Sequence, residues 1–187
     1  MNDNNIDKII SMAKLMNLRE HANQLRIPLL KDFNIIQDNS PQTIFVAEKD
    51  GCLEQITTDG YIDESIDERI DLLINNTKDY MLNSGCIDTD KSFKYYKDYT
   101  NNTFNYKIYV CDLIVPANDG IKVVRQFNAY FIEEKMHDFY QVSISSTPMN
   151  YPNDILKIDM IDIENDSVTK ELYNKLIAVL NNLGYKA

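Results

Sequence analysis

A chain of 187 residues, 44% apolar and 26% charged, is long enough to bury a core without disulfides or metal. Its net charge of −10 argues against a general nucleic-acid or anionic-membrane binder, since both need a cationic face to displace counterions. No apolar run approaches the roughly 18 residues of a membrane span. The start, Met1-Asn2-Asp3-Asn4-Asn5, is polar and acidic, unlike a secretory signal, so the expected location is the cytoplasm.

In chain order, Ile6, Ile9, Ile10, Ala13 and Met16 recur at helical spacing and predict an amphipathic helix over about 5–24, ended by Pro28. Short strands are expected over 33–37, 43–48 and 52–58, punctuated by Asp38-Asn39-Ser40-Pro41 and Asp50-Gly51. Residues 65–85 then read as a capped helix. Ser65-Ile66-Asp67-Glu68 has capping-box spacing, Ile66, Ile70, Leu73, Ile74, Thr77 and Met81 share one face, and Gly85 is the stop. Beyond it, Phe104, Tyr106, Ile108 and Val110 alternate with Asn105, Lys107 and Tyr109, the period of a half-buried strand. Asn118-Asp119-Gly120 predicts a hairpin into a strand over 121–132, where Ile121, Val123, Phe127, Ala129 and Phe131 share a face with Arg125 as the exception. A second reversal at 133–138 leads into 139–146, completing a meander. Residues 155–163 fit either a strand or a short helix. Asp166 or Ser167 caps a last helix, striped by Val168, Leu172, Leu176, Val179, Leu180 and Leu183 and ended by Gly184.

These elements predict a single α+β domain over 1–187: a mainly antiparallel, twisted sheet of about six to eight strands with helices packed on it. The order (a strand block, an acidic helix, a meander of long strands, a C-terminal helix) resembles the PsbP-like α/β/α sandwich over about residues 27–187. Leu25-Arg26-Ile27-Pro28 resembles the Ile-Pro opening of that family, with Phe33 nearest to the aromatic that follows it. The resemblance implies binding rather than catalysis, because the family is largely non-enzymatic and includes an import adaptor for a small GTPase, photosystem subunits and bacterial secretion-effector chaperones. It transfers no site residue.

Charge is unevenly spread. Residues 61–90 hold eight acidic side chains against two basic ones, and 91–135 hold seven basic against five acidic. The candidate contact residues are therefore the acids Asp63, Glu64, Asp67, Glu68 and Asp71, which would steer a basic partner, and the aromatics Tyr95, Tyr96 and Tyr99, which would anchor it. A solvated helix face over ordinary strand packing would give the same pattern. The expected function is non-catalytic protein binding in a bacterium or phage, as an adaptor, secretion chaperone, immunity protein or inhibitor. A homodimer is compatible with it, and the bias toward Asn, Ile, Lys and Tyr suits an AT-rich genome. The alternative is a small-molecule or divalent-metal carrier, or an enzyme, using a pocket on the sheet.

No catalytic, cofactor or metal residue is assigned. His21 and His137 have no cysteine or second histidine at ligand spacing. Cys52, Cys86 and Cys111, odd in number and far apart, read as reduced, buried thiols. Glu133-Glu134-Lys135 with upstream Asp112 and Asp119 has the residue types of a magnesium nuclease, but it falls in a reversal where its side chains would splay into water. Asp159, Asp162, Glu164 and Asp166, like Asp88 and Asp90, are hard oxygen donors lacking the glycine and closing glutamate of a calcium loop. The aromatic–lysine run over 91–109 could stack single-stranded nucleic acid, a reading the net charge disfavours.

Overall fold

The computed structural model describes residues 32–36, 43–87, 89–101, 105–118, 120–133, 137–151 and 161–182. The expected helix at 5–24, the opening at 25–28, the segment 155–160, and His21, Asp88, Phe104, Asp119, Glu134, Asp159, Leu183 and Gly184 lie outside them. Eight strands form one antiparallel sheet: β1 (Asn34–Ile36), β2 (Thr43–Lys49), β3 (Cys52–Tyr61), β4 (Phe93–Thr100), β5 (Asn105–Ala117), β6 (Gly120–Ile132), β7 (Asp138–Ser145) and β8 (Met149–Tyr151). Three helices accompany them among the described residues: α1 (Ile66–Asn83), α2 (Thr89–Ser92) and α3 (Ser167–Asn182). The fold is α+β with an antiparallel sheet.

Spatially the strands run β1-β2-β3-β7-β6-β5-β4, and β8 adds to the start of β6 through Ile121 and Tyr151. Two meanders meet where β3 pairs with β7. The chain must therefore leave β3 and cross β7, β6 and β5 to begin β4 at the far edge. Four inter-strand steps of about 4.8 Å amount to about 19 Å. An 18-residue helix at 1.5 Å per residue spans about 27 Å, so α1 suffices for the crossing. The turns are local. Asp50 (φ 53°) and Gly51 (φ 78°) both take left-handed backbone between the paired Lys49 and Cys52, as a twisted two-residue hairpin requires. A Cβ at Gly51 would lie 2.6 Å from Cγ2 of the exposed Thr147, which a turn of that side chain relieves, so the left-handed φ is what favours glycine there.

The capped helix forms as its sequence dictates. Ser65 Oγ accepts from the Glu68 amide at 3.3 Å, and Glu68 Oε2 accepts from the Ser65 amide at 2.9 Å. Both donors would otherwise be orphaned at the helix start. At the other end Gly85 (φ 84°) reverses the chain and the Cys86 amide donates to Met81 O at 2.9 Å. Ile70 and Met81 are fully buried, and Ile66, Leu73 and Ile74 pack with Ile62, Tyr109, Tyr130, Ile132 and Phe139. Ser65→Ala removes the cap and is expected to destabilise the fold by about 1 kcal/mol. A urea titration showing an unchanged midpoint would contradict that.

Alternation places successive residues of β5, β6 and β7 on opposite faces. Tyr130 and Phe139 share a cluster with α1, and their neighbours Phe131 and Tyr140 share one with α3. On the α3 face Phe127 pairs across to Ile144, Ala129 to Val142 and Phe131 to Tyr140, while Leu172, Leu176, Val179 and Leu180 come down from the helix. Rings interlock there, with Phe131 stacked on Tyr140 at 5.4 Å and edge-on to Tyr106 at 4.8 Å. The strand expected over 52–58 runs on to Tyr61, because a bulge at Asp59, eased by the left-handed Gly60 (φ 73°), lets the pairing with β7 continue.

Candidate functional site

The acidic helix face divides into acids engaged within the fold and acids open to solvent. Glu64 pairs with Arg69 at 3.1 Å, and Arg69 reaches back to Asp59 at 2.8 Å. Asp67 crosses from α1 to Lys107 on β5 at 2.8 Å, and that bond is the chief reason the Lys107 ammonium stands above its ordinary value. Glu68 closes the capping box, and the Ser65 amide holds its carboxyl below the usual range. Asp63 bonds the exposed Tyr61 phenol and pushes it up. Asp71 is exposed.

The three tyrosines do not form one surface. Alternation turns Tyr96 away from Tyr95, and a bulge at Tyr96, between the paired Tyr95 and Lys97, moves Tyr99 to the side of Tyr96. Tyr95 is 55% exposed and lies edge-on to Tyr109 at 5.5 Å, on the α1 side. Burial raises the Tyr109 phenol, Lys107 opposes, and Asp67, Asp71 and Tyr95 add to the rise. Asp67, Asp71 and Tyr95 thus converge around Tyr109. Tyr96 turns to the α3 side, edge-on to Phe127 (6.0 Å) and Tyr173 (5.5 Å), with the Lys97 ammonium over Tyr96 and Tyr173. The Tyr99 hydroxyl bonds Asn181 of α3, and its ring lies against Tyr106. Tyr96 and Tyr99 therefore fasten α3 to β4.

Two polar groupings under α3 were not foreseen as such. Asp112 and Arg125, directly paired across β5 and β6, are buried and joined by two bonds of 2.8 Å, and Lys94 adds a third contact at 2.8 Å. Arg125 also donates to Thr169 Oγ1 at 2.8 Å, and Thr169 in turn donates to Asp166. Asp166 also accepts from the Val168 amide, so it caps α3. The hint in the sequence was Arg125 itself, a charge in an apolar row, opposite an aspartate in the expected partner strand. The second grouping lines a cleft of about 530 Å³ between the β2–β3 turn and α3, bounded by Phe33, Lys49, Cys52, Thr147, Glu171 and Lys175. Lys175 Nζ donates to Cys52 Sγ at 3.5 Å and pairs with Glu171 at 2.6 Å.

Of the chemistry-bearing runs, Glu133, expected to splay into water, is instead buried at the end of β6, and other described residues have local roles. His137 is exposed, adopts φ 58° in the β6–β7 reversal and lies edge-on to Tyr61. Asp112 engages Arg125 and Lys94, and Asp162 accepts from the Asn165 amide and side chain. All three cysteines are free and buried. Among the described residues no three His, Cys, Asp or Glu side chains are grouped to hold a metal ion, and no helix is long and apolar enough to cross a membrane. No protein-family model matches the chain, and no curated protein matches its sequence.

Proposed function

We propose that this chain is a non-catalytic protein-binding domain that docks a basic partner on the outward surface of α1 and the adjoining Tyr95 rim. One observation carries this reading. Of eight exposed large apolar side chains among the described residues, Tyr61, Leu72, Tyr80, Leu82 and Tyr95 lie on or beside α1, interspersed with the exposed acids Asp63, Asp67, Asp71 and Asp79. Scattered apolar residues need no explanation, but a concentration of them amid one sign of charge suits an interface with apolar anchors and an electrostatic rim. Engagement of Glu64 and Glu68 within the fold leaves Asp71 and Asp79 as the acids best suited to steering. The reading extends to a cytoplasmic adaptor, chaperone, immunity protein or inhibitor of a bacterium or phage. It also extends to a PsbP-like α/β/α sandwich, supported by helix clusters on opposite sheet faces.

The test is a pull-down from host lysate at low and high salt with wild type, Asp71→Lys and Leu72→Ser/Tyr80→Ser. We expect one stoichiometric partner, weakened by salt and by Asp71→Lys and lost with the double variant, at unchanged melting temperatures. Retention by the double variant would refute the surface. The cleft of about 530 Å³ favours a second reading, a small-molecule carrier; a thermal shift with a metabolite panel, abolished by substitution of lining residues, would support it, and no shift with any metabolite would count against it.

A further inference from the structure

Cys52 is set apart from the other two cysteines by its surroundings. Cys86 and Cys111 pack in an apolar cluster with Met81, Phe93 and Leu113. Cys52 opens β3 at the wall of the cleft, with a primary amine as its hydrogen-bond donor. The two side chains come from positions 123 residues apart, so the contact is made by the fold. Lys175 is held in place on three sides: Glu171 one turn back at 2.6 Å, the Phe33 ring at 5.7 Å, and the thiol.

We propose that Cys52 and Lys175 form an oxidant-driven cross-linking site, at which hydrogen peroxide converts the thiol–amine contact into a covalent S–N bond between β3 and α3. The chemistry takes two balanced steps. In the first, Cys52 sulfur attacks the peroxide, the O–O bond breaks, and a sulfenic acid and one water form; sulfur is oxidised by two electrons and the peroxide is reduced by two. In the second, Glu171, already bonded to Nζ, takes one proton from the Lys175 ammonium; the freed amine attacks that sulfur, the S–N bond forms, the S–O bond breaks, and the hydroxyl leaves as water with a second proton from the nitrogen. Sulfenic acids condense with amine and amide nitrogens as they do with thiols, and the nearest nucleophile captures them. Here that nucleophile is in van der Waals contact, on a flexible four-carbon stem. Two equivalents of an external thiol reverse the bond, returning the free cysteine and lysine with one disulfide. The product ties α3 to the start of β3 and narrows the cleft.

The experiment treats the full chain with hydrogen peroxide in small excess, digests it without reductant and maps it by mass spectrometry, with dimedone as a parallel trap for sulfenic acid. The expected result is a linked peptide joining Cys52 and Lys175, lighter than its parts by two hydrogens and cleaved by dithiothreitol. Lys175→Arg keeps the positive charge and removes the nucleophilic amine. In that variant the linked peptide disappears and dimedone labelling of Cys52 rises severalfold. The wild-type peptide map needs no variant to fold, so the proposal stays testable if Lys175→Arg does not. It is overturned by any of three results: Cys52 sulfinic acid without a linked peptide, oxidation at Cys86 or Cys111 with Cys52 intact, or equal dimedone labelling in wild type and Lys175→Arg.

Discussion

Asp112→Leu is expected to cost about 3–5 kcal/mol, the range for removing one partner of a buried ion pair. Asp112 is fully buried and accepts two bonds from the Arg125 guanidinium and one from the Lys94 ammonium, all at 2.8 Å. Without the carboxylate, Lys94 on β4 and Arg125 on β6 face each other as two cations across β5, and the guanidinium, 1% exposed, cannot shed its charge. Arg125→Met should cost less, because the buried Asp112 keeps Lys94 as its counter-ion although it loses both guanidinium bonds, and Thr169 loses a donor. Replacing all three together, Lys94→Met/Asp112→Leu/Arg125→Met, should recover most of the loss, since buried ion networks barely exceed a well-packed apolar substitute. Urea unfolding of the three variants checks the order: Asp112→Leu lowest, Arg125→Met above it, the triple variant nearest wild type. Additive losses in the triple variant would mean the three side chains do not act as one network.

The parts of the fold that were legible are those whose causes lie close together in sequence. For α1 the cap, the apolar stripe and the stop all fall within 65–85, and the β5–β6 hairpin follows from alternation on both sides of one turn. Strand order was beyond such reasoning. The chain puts β4 at the far edge of the sheet, so the partners of its side chains are decided by β5 and α3 rather than by neighbours in sequence. The same cause explains the candidate site. Tyr95, Tyr96 and Tyr99 read as one aromatic run, but alternation turns Tyr96 away from Tyr95, and a single bulged residue then moves Tyr99 from the face of Tyr95 to that of Tyr96. The acids of α1 read as a free surface, but Asp67 meets Lys107 only because β5 lies beneath the helix. Arg125 was visible as an irregularity in an apolar row, without its partners. Cys52 and Lys175 carried no signal at all, since neither residue type is unusual where it stands.

Stability should fall steeply on the alkaline side, and Cys111 should be a principal cause. Its thiol is 2% exposed, and burial, with Asp112 and Cys86 adding and Lys94 opposing, pushes it from 9.0 up to about 12. The folded value lies above the unfolded one, so above about pH 9 the native state holds a proton that the unfolded chain releases. The stabilisation is complete below about pH 9 and is lost progressively as pH rises toward 12. Three units at about 1.4 kcal/mol each set the full span at about 4 kcal/mol, a large share of a typical domain's stability. Burial raises the phenols of Tyr106, Tyr130 and Tyr140 as well, and these act in the same direction at still higher pH. Cys111→Ala isolates the thiol. The variant is expected to be less stable than wild type at neutral pH, because a buried sulfur is lost beside Met81 and Cys86. Its stability should then decline more gently from about pH 9 upward, so the gap between the two proteins narrows and closes as the thiol titrates. Urea midpoints for both proteins across that range decide the matter. Curves that stay parallel would show that the Cys111 thiol does not couple folding to pH, and would leave the Cys52 and Cys86 thiols, which burial also raises, and the phenols as sources of any alkaline loss.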